Sequence, residues 1–245
     1  MNNTLCTKII ESSAKSLSLP NQLIDELEQF TSKHYYIDSI VKFNNNVLGL
    51  GKIGDLAVYY DKNKTIIGFT RLCIQRISIR GKEVMVYSGE TYHDQRIDLC
   101  FTAARFSLTK AMRHKLAHPE DELVYFANAN TPSRYQFLTT LTNTIYPKEG
   151  ILIPEPVLSL VEGLKKHNNW ISHPAHPMLI RDQMPLLHLP DLGGQEANPL
   201  FSYYASLNPD YGAGNCLLVY LPLNLATISQ GIKRVVTKSP AVSYC

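Results

Sequence analysis

The 245-residue sequence has no C-x-x-C pair, no G-x-S-x-G and no P-loop glycine–lysine motif. Zinc-ribbon, thioredoxin-type, serine-hydrolase and P-loop kinase chemistry therefore lack the residues they need. Long apolar runs are absent too: nothing approaches the roughly 20 residues that span a bilayer. The opening "MNNTLCTKIIESSAKS" has no apolar core of signal-peptide length. A soluble, cytoplasmic protein is expected, with export by a receptor-read signal left open. Charge of one sign is also scarce. The net charge is +3 and the basic residues are scattered, so no stripe for nucleic acid exists. The five cysteines are odd in number and widely spaced, and Cys73, Cys100 and Cys216 lie inside apolar runs. Buried thiols in a reducing compartment are the expectation.

What is present reads as an ordinary globular chain, 44% hydrophobic and 18% charged. From Asn21 to about His34, Leu23, Ile24, Leu27 and Phe30 recur at three and four, which predicts a helix. "YYIDSIVKF" (Tyr35 to Phe43) reads as extended. "LAVYYD", "IIGFTRLCIQRISIR" and "EVMVYSGETY" are alternating runs split by short polar turns, the pattern of an antiparallel meander. A helix is predicted from about Ile97 to Leu116, with Ile97, Phe101, Ala104, Leu108 and Met112 as its apolar stripe. "ELVYFANA" (Glu122 to Ala129) is a buried strand, and "PSRYQFLTTL" starts a helix on Pro132. Nine of the fourteen prolines fall between Pro147 and Pro209, so much of that region is expected to be loop. Helices are predicted over Pro156 to Lys166 and Leu200 to Leu207. "CLLVYLPL" reads as a strand, with "NLATISQGIKRVV" as a closing helix.

Two motifs invite chemistry and do not support it. "GLGKIG" satisfies G-x-G-x-x-G, but the dinucleotide mechanism needs a helix to start there. A strand, "DLAVYYD", follows, so the segment reads as a hairpin or entry loop. His173 and His176 in "HPAHP" have metal-like spacing, yet Pro174 and Pro177 disfavour a helix and no cysteine or carboxylate is near. They read as loop histidines, and no metal is expected.

The order of elements is helix, antiparallel strands, long helix, buried strand, short helix, further strand. That order resembles the GNAT acyltransferase superfamily over roughly Leu56 to Ile145. Two junctions carry the resemblance. "TYHDQRIDLCF" leads from the fourth strand into the long helix. It matches the acidic and basic positions of the V-x-P-[DE]-x-[RQ]-x-x-G-x-[GA] loop at Asp94 and Arg96. The two glycine positions fall on Leu99 and Phe101, or on Asp98 and Cys100 one frame later. "NANTPSRY", Asn128 to Tyr135, has the spacing of N-x-x-A-x-x-x-Y, with Thr131 in place of the alanine.

The resemblance implies an α/β (α+β) fold with a mixed, mainly antiparallel sheet flanked by helices. Residues 1–146 would form the donor-binding core. Residues 147–245 would supply a proline-rich insertion or lid, then the strand and helix that complete the same domain. It implies transfer of an acetyl or longer acyl group from acyl-CoA, or from an acyl-carrier protein, to the amine of a small molecule or protein. No nucleic-acid or membrane partner is expected. Glu90 would be the general base and Tyr135 the acid for the leaving thiolate. Thr91, Tyr92, Gln95, Arg96, Ile97, Asp98 and Asn128 would bind the donor, since backbone N–H groups at a helix start hold phosphates. Plainer readings stand beside these: Glu90 as a surface carboxylate, Tyr135 as a packed helix tyrosine, Asn128 as a helix cap. A catalytically degenerate GNAT-fold binding or scaffolding protein is the alternative to an enzyme.

Overall fold

The computed structural model describes residues 5–94, 96–181, 183–189, 197–238 and 242–244. Among them a mixed sheet of nine strands runs through the molecule, flanked by helices. The sheet is largely antiparallel, a GNAT-like architecture.

The chain opens on β1 (Leu5–Ser16), followed by α1 (Asn21–Thr31). No strand was foreseen in β1, because its apolar residues do not alternate. It is held by antiparallel pairing to β2 (Ile53–Tyr60), from Cys6↔Tyr60 to Glu11↔Asp55. The extended reading of "YYIDSIVKF" is corrected in part. Ile40–Lys42 forms a helical turn, α2, which runs into a π-turn at Phe43–Val47. The Ser39 hydroxyl accepts the Lys42 amide at 3.1 Å, a local cap that competes with a strand. Phe43, Val47 and Leu48 are then buried under α1 with Leu27 and Phe69.

The meander forms as the alternation predicts. β2 pairs with β3 (Ile66–Ile79), and β3 pairs with β4 (Lys82–His93) in unbroken register from Gly68↔His93 to Ile79↔Lys82. Next come α3 (Cys100–Ala117), β5 (Glu122–Ala129) and α4 (Pro132–Thr139). The buried residues of α3 include Thr102, Ala103, Phe106, Ser107 and Ala111, a wider face than the predicted stripe.

The proline-rich region holds α5 (Glu155–Asn168), β6 (Ile171–Ser172), β7 (Leu179–Arg181) and α6 (Pro199–Leu207). β8 (Cys216–Pro222), α7 (Leu225–Lys238) and β9 (Val242–Tyr244) close the chain. β8 lies between β5 and β7, and β9 adds to β1, giving the order β6-β7-β8-β5-β4-β3-β2-β1-β9. Among the described residues no helix is long and apolar enough to cross a membrane. Cys73, Cys100 and Cys216 are free thiols. Cys6 is disulfide-bonded, which corrects the reading of a wholly reduced chain.

The "GLGKIG" segment has a physical explanation in one buried side chain. Arg71, 3% exposed, donates from Nε to Leu48 O, from Nη1 to Asp55 O and Leu72 O, and from Nη2 to Gly49 O and Lys52 O. The loop wraps a guanidinium, not a phosphate. Gly54, at φ 143°, is required there: a Cβ would meet Leu72 O at 1.9 Å and Arg71 Nη1 at 2.5 Å. The histidines of "HPAHP" are turn residues. His173 Nδ1 accepts the Ala175 amide and His176 Nδ1 the Met178 amide. No cluster of metal-binding side chains occurs among the described residues.

Candidate functional site

β4 and β5 are the parallel neighbours at the centre of the sheet. They pair from Val84↔Glu122 to Gly89↔Ala127. Beyond that point β4 runs on through Glu90, Thr91, Tyr92 and His93, and β5 through Asn128 and Ala129, without pairing to each other. The strands part and leave an opening with two sides. Side chains alternate across a strand, so Glu90 and Thr91 face opposite ways.

Glu90 and Asn128 meet on one side. Asn128 Nδ2 donates to Glu90 Oε2 at 3.1 Å, across the gap between the strands. The Tyr92 hydroxyl donates to the same carboxylate. Glu90 is half-buried, and desolvation raises its pKa above the usual 4.5, opposed by the Tyr92 and Asn128 hydrogen bonds and the Arg134 charge. Desolvation is thus the stronger effect, and the carboxylate holds a proton more tightly than in water. Asn128 is 6% exposed, and its Oδ1 is buried with no partner. A buried amide oxygen left unpaired is costly and uncommon. This one lies next to the carboxylate expected to act as base.

Thr91 faces the other side, toward α3 and α4. Its Oγ1 lies 2.9 Å from Thr70 Oγ1 and accepts Arg134 Nη2 at 2.9 Å. Tyr59 donates to Thr70 at 2.8 Å, so a polar chain runs across β2, β3 and β4 to Arg134. The Asp94 amide donates to Ile67 O on β3. Antiparallel alternation then turns the Thr91 and His93 N–H groups away from β3, toward the opening.

A groove of about 340 Å³ lies between the starts of α3 and α4. Thr91, Arg96, Ile97 and Asp98 line it, as do Thr131 and Arg134. Four of the expected donor-binding residues are therefore together. Tyr92 and Asn128 stand apart from the groove, on the Glu90 side. Gln95 lies outside the described residues. Of the residues at the missing glycine positions, Asp98 and Cys100 line the groove and Leu99 and Phe101 do not. Leu99 is fully buried, with its Cδ1 packed toward Gly68 on β3. Phe101 turns its ring edge-on to Phe137.

The two arginines of the groove differ. Arg96 is 85% exposed at its side chain and forks onto Asp94, Nη2 to Oδ2 at 2.6 Å. That hydrogen bond and the neighbouring charge hold Asp94 down at about 2. Asp98 accepts the Cys100 amide at 2.9 Å and so satisfies one N–H at the start of α3. Arg134, by contrast, is half-buried, bonds to Thr91 and the Cys100 thiol, and leaves its Nε buried without a partner. Arg76, Arg80, Arg96 and Arg113 all meet carboxylates. Among the described residues Arg134 has no such ion pair. The sequence reading passed over Arg134, although its place in the first turn after β5, six residues beyond Asn128, is a signal that could have marked it.

Tyr135 is fully buried and donates its hydroxyl to Pro147 O at 3.0 Å. Its ring packs near Tyr203 and Tyr204 of α6, with centroids 6.0 and 5.8 Å away. Burial raises its pKa. Tyr204 in turn donates to Ala129 O at the end of β5. The aromatic residues of the proline-rich region thus pack around the Tyr135 ring and the end of β5.

No protein-family model matches the chain, and no curated protein matches it. Among solved structures it is similar to the GNAT family N-acetyltransferase YhbS from Escherichia coli in complex with CoA. The identity is 10% over 55% of this chain and 67% of that one, with a TM-score of 0.37. It is similar to a conserved protein from Enterococcus faecalis described as a probable N-acyltransferase. There the identity is 8% over 55% of this chain and 31% of that one, at 0.37. It is also similar to AtaTR bound with acetyl-CoA, at 12% identity over 62% and 88% of the two chains and 0.34. The chain thus spans under a third of the Enterococcus protein and about two thirds of YhbS. The identities and TM-scores make each likeness a distant one.

Proposed function

We propose that this protein is an N-acyltransferase, which moves an acetyl or longer acyl group from a CoA-type or carrier-protein thioester to an amine. The observation that carries the reading is the two-sided opening between β4 and β5. A cationic groove between two helix starts lies on one side, and a raised-pKa carboxylate beside an unpartnered amide oxygen lies on the other.

The groove fits a phosphate-bearing donor. The unpaired Arg134 Nε and the N-terminal ends of α3 and α4 favour negative charge. The donor supplies the activated acyl group. The Thr91 N–H, turned toward the opening, is placed to polarise a carbonyl there. Glu90 takes the proton of the amine, for which a carboxylate with raised affinity is suited. Asn128 holds Glu90 in place through Nδ2 and offers Oδ1 to a second amine hydrogen. This moves Asn128 from the donor to the acceptor side. Tyr135 acts as acid only if its hydroxyl leaves Pro147.

Thermal-shift titration with acetyl-CoA, longer acyl-CoAs and free CoA tests donor binding, because a ligand of the folded state raises the melting temperature by mass action. Release of free thiol over a panel of amines tests turnover. Absence of any shift removes the reading. A shift without turnover supports a second reading, a catalytically silent binding or scaffolding protein of the same fold. The commitment of the Tyr135 hydroxyl to Pro147 favours that second reading.

A further inference from the structure

Behind the groove lies a second space that the acyl-transfer reading does not use. It is a cavity of about 40 Å³ between α3, α4, α7 and the sheet. Small residues on α3, Ala103, Ala104 and Ser107, leave the room. Gly231 on α7 lets the two helices come close: a Cβ there would sit 2.9 Å from Leu108 Cδ1. The far wall is apolar, built from Leu138, Leu141, Leu221 and Leu223. The mouth is polar. Thr91, Cys100 and Arg134 line both the cavity and the groove. The cavity therefore has an apolar end and a guanidinium at its entrance. That guanidinium has an unpartnered buried Nε and no carboxylate partner among the described residues.

We propose that this cavity binds a short-chain monocarboxylate, with the apolar tail among the leucines and the carboxylate on Arg134. Three physical points select that occupant. An uncompensated guanidinium in a low-dielectric wall calls for an anion, and a carboxylate matches its donor fork. The apolar walls reject a fully polar anion. A water-sized group needs roughly 10–15 Å³ of such space, so the cavity of about 40 Å³ holds about three of them and only a tail of about three carbons fits. A carboxylate seated there occupies the same guanidinium that faces the groove, so it competes with an anionic ligand of the groove. The proposal stands on the cavity and Arg134 and does not depend on acyl transfer.

The test is methyl-selective NMR of the full chain titrated with butanoate, with butylamine and acetate as controls. Butanoate is expected to shift the methyls of Leu138, Leu141 and Leu221 saturably, at least tenfold more tightly than either control. Arg134→Met should weaken binding at least tenfold. Thr227→Phe, which fills the α7 wall and leaves the guanidinium in place, should do the same, so the test survives misfolding of one variant. Equal binding of butylamine, unchanged affinity in both variants, or shifts confined to other residues would overturn the proposal.

Discussion

Two arginines on opposite sides of the sheet, Arg71 buried and Arg134 half-buried, have opposite surroundings. Arg71 spends all its donors on five backbone carbonyls of the 48–55 loop and β3. Arg134 keeps a buried Nε with no partner. A cation whose hydrogen bonds are complete is structure: it ties the loop before β2 to β3. A cation left incomplete in a groove carries a desolvation cost that a ligand can relieve. The same contrast separates Tyr135, satisfied by Pro147, from Asn128, whose Oδ1 is unmet.

The largest effect should come from the saturated arginine. Arg71→Met strands several buried carbonyls at once, so unfolding stability should fall by on the order of 3 kcal/mol or more. Denaturant melts check this, and a loss under about 1 kcal/mol would break the contrast from its structural side. Glu90→Gln comes next. Turnover should fall by roughly 10²-fold or more, the scale for a lost general base. Its stability should change in the other direction. The folded chain holds the Glu90 proton above the ordinary 4.5, so it binds more protons than the unfolded chain as pH rises through that value, and stability falls. Glu90→Gln should therefore melt higher than the native chain at neutral pH, with the gap closing toward about pH 4. A constant gap across pH would place the shift elsewhere.

Arg134→Met should weaken the groove's affinity for acyl-CoA at least tenfold, about 1.4 kcal/mol, while changing stability by less than about 1 kcal/mol. Tyr135→Phe sharpens the comparison further. If the hydroxyl serves Pro147 alone, stability falls by about 1 kcal/mol and turnover changes less than about tenfold. A hundredfold fall in turnover would instead make Tyr135 the acid that the family resemblance implies. The smallest effect belongs to Arg96→Ala. That side chain is exposed and already paired with Asp94, so donor affinity should fall by less than about threefold, measured in the same titration.

The meander and the helix–strand–helix order were legible because alternation and 3.6-residue periodicity are local signals. "ELVYFANA" maps onto β5 residue for residue. β1 was not legible, since its stability comes from pairing with β2 and not from its own pattern. The turn after Ser39 was missed because a single capping hydroxyl decides it. At the site, the groove residues Thr91, Arg96, Ile97 and Asp98 are consecutive or nearly so, and a loop motif finds them. The partnership of Glu90 with Asn128 depends on where β4 and β5 stop pairing, which no single segment encodes.

The most direct test of the account is calorimetric titration of acetyl-CoA into the native chain and into Arg134→Met. The account predicts measurable binding to the native chain and at least tenfold weaker binding to the variant, with both proteins equally folded. Equal affinities, or no binding to the native chain, would contradict it.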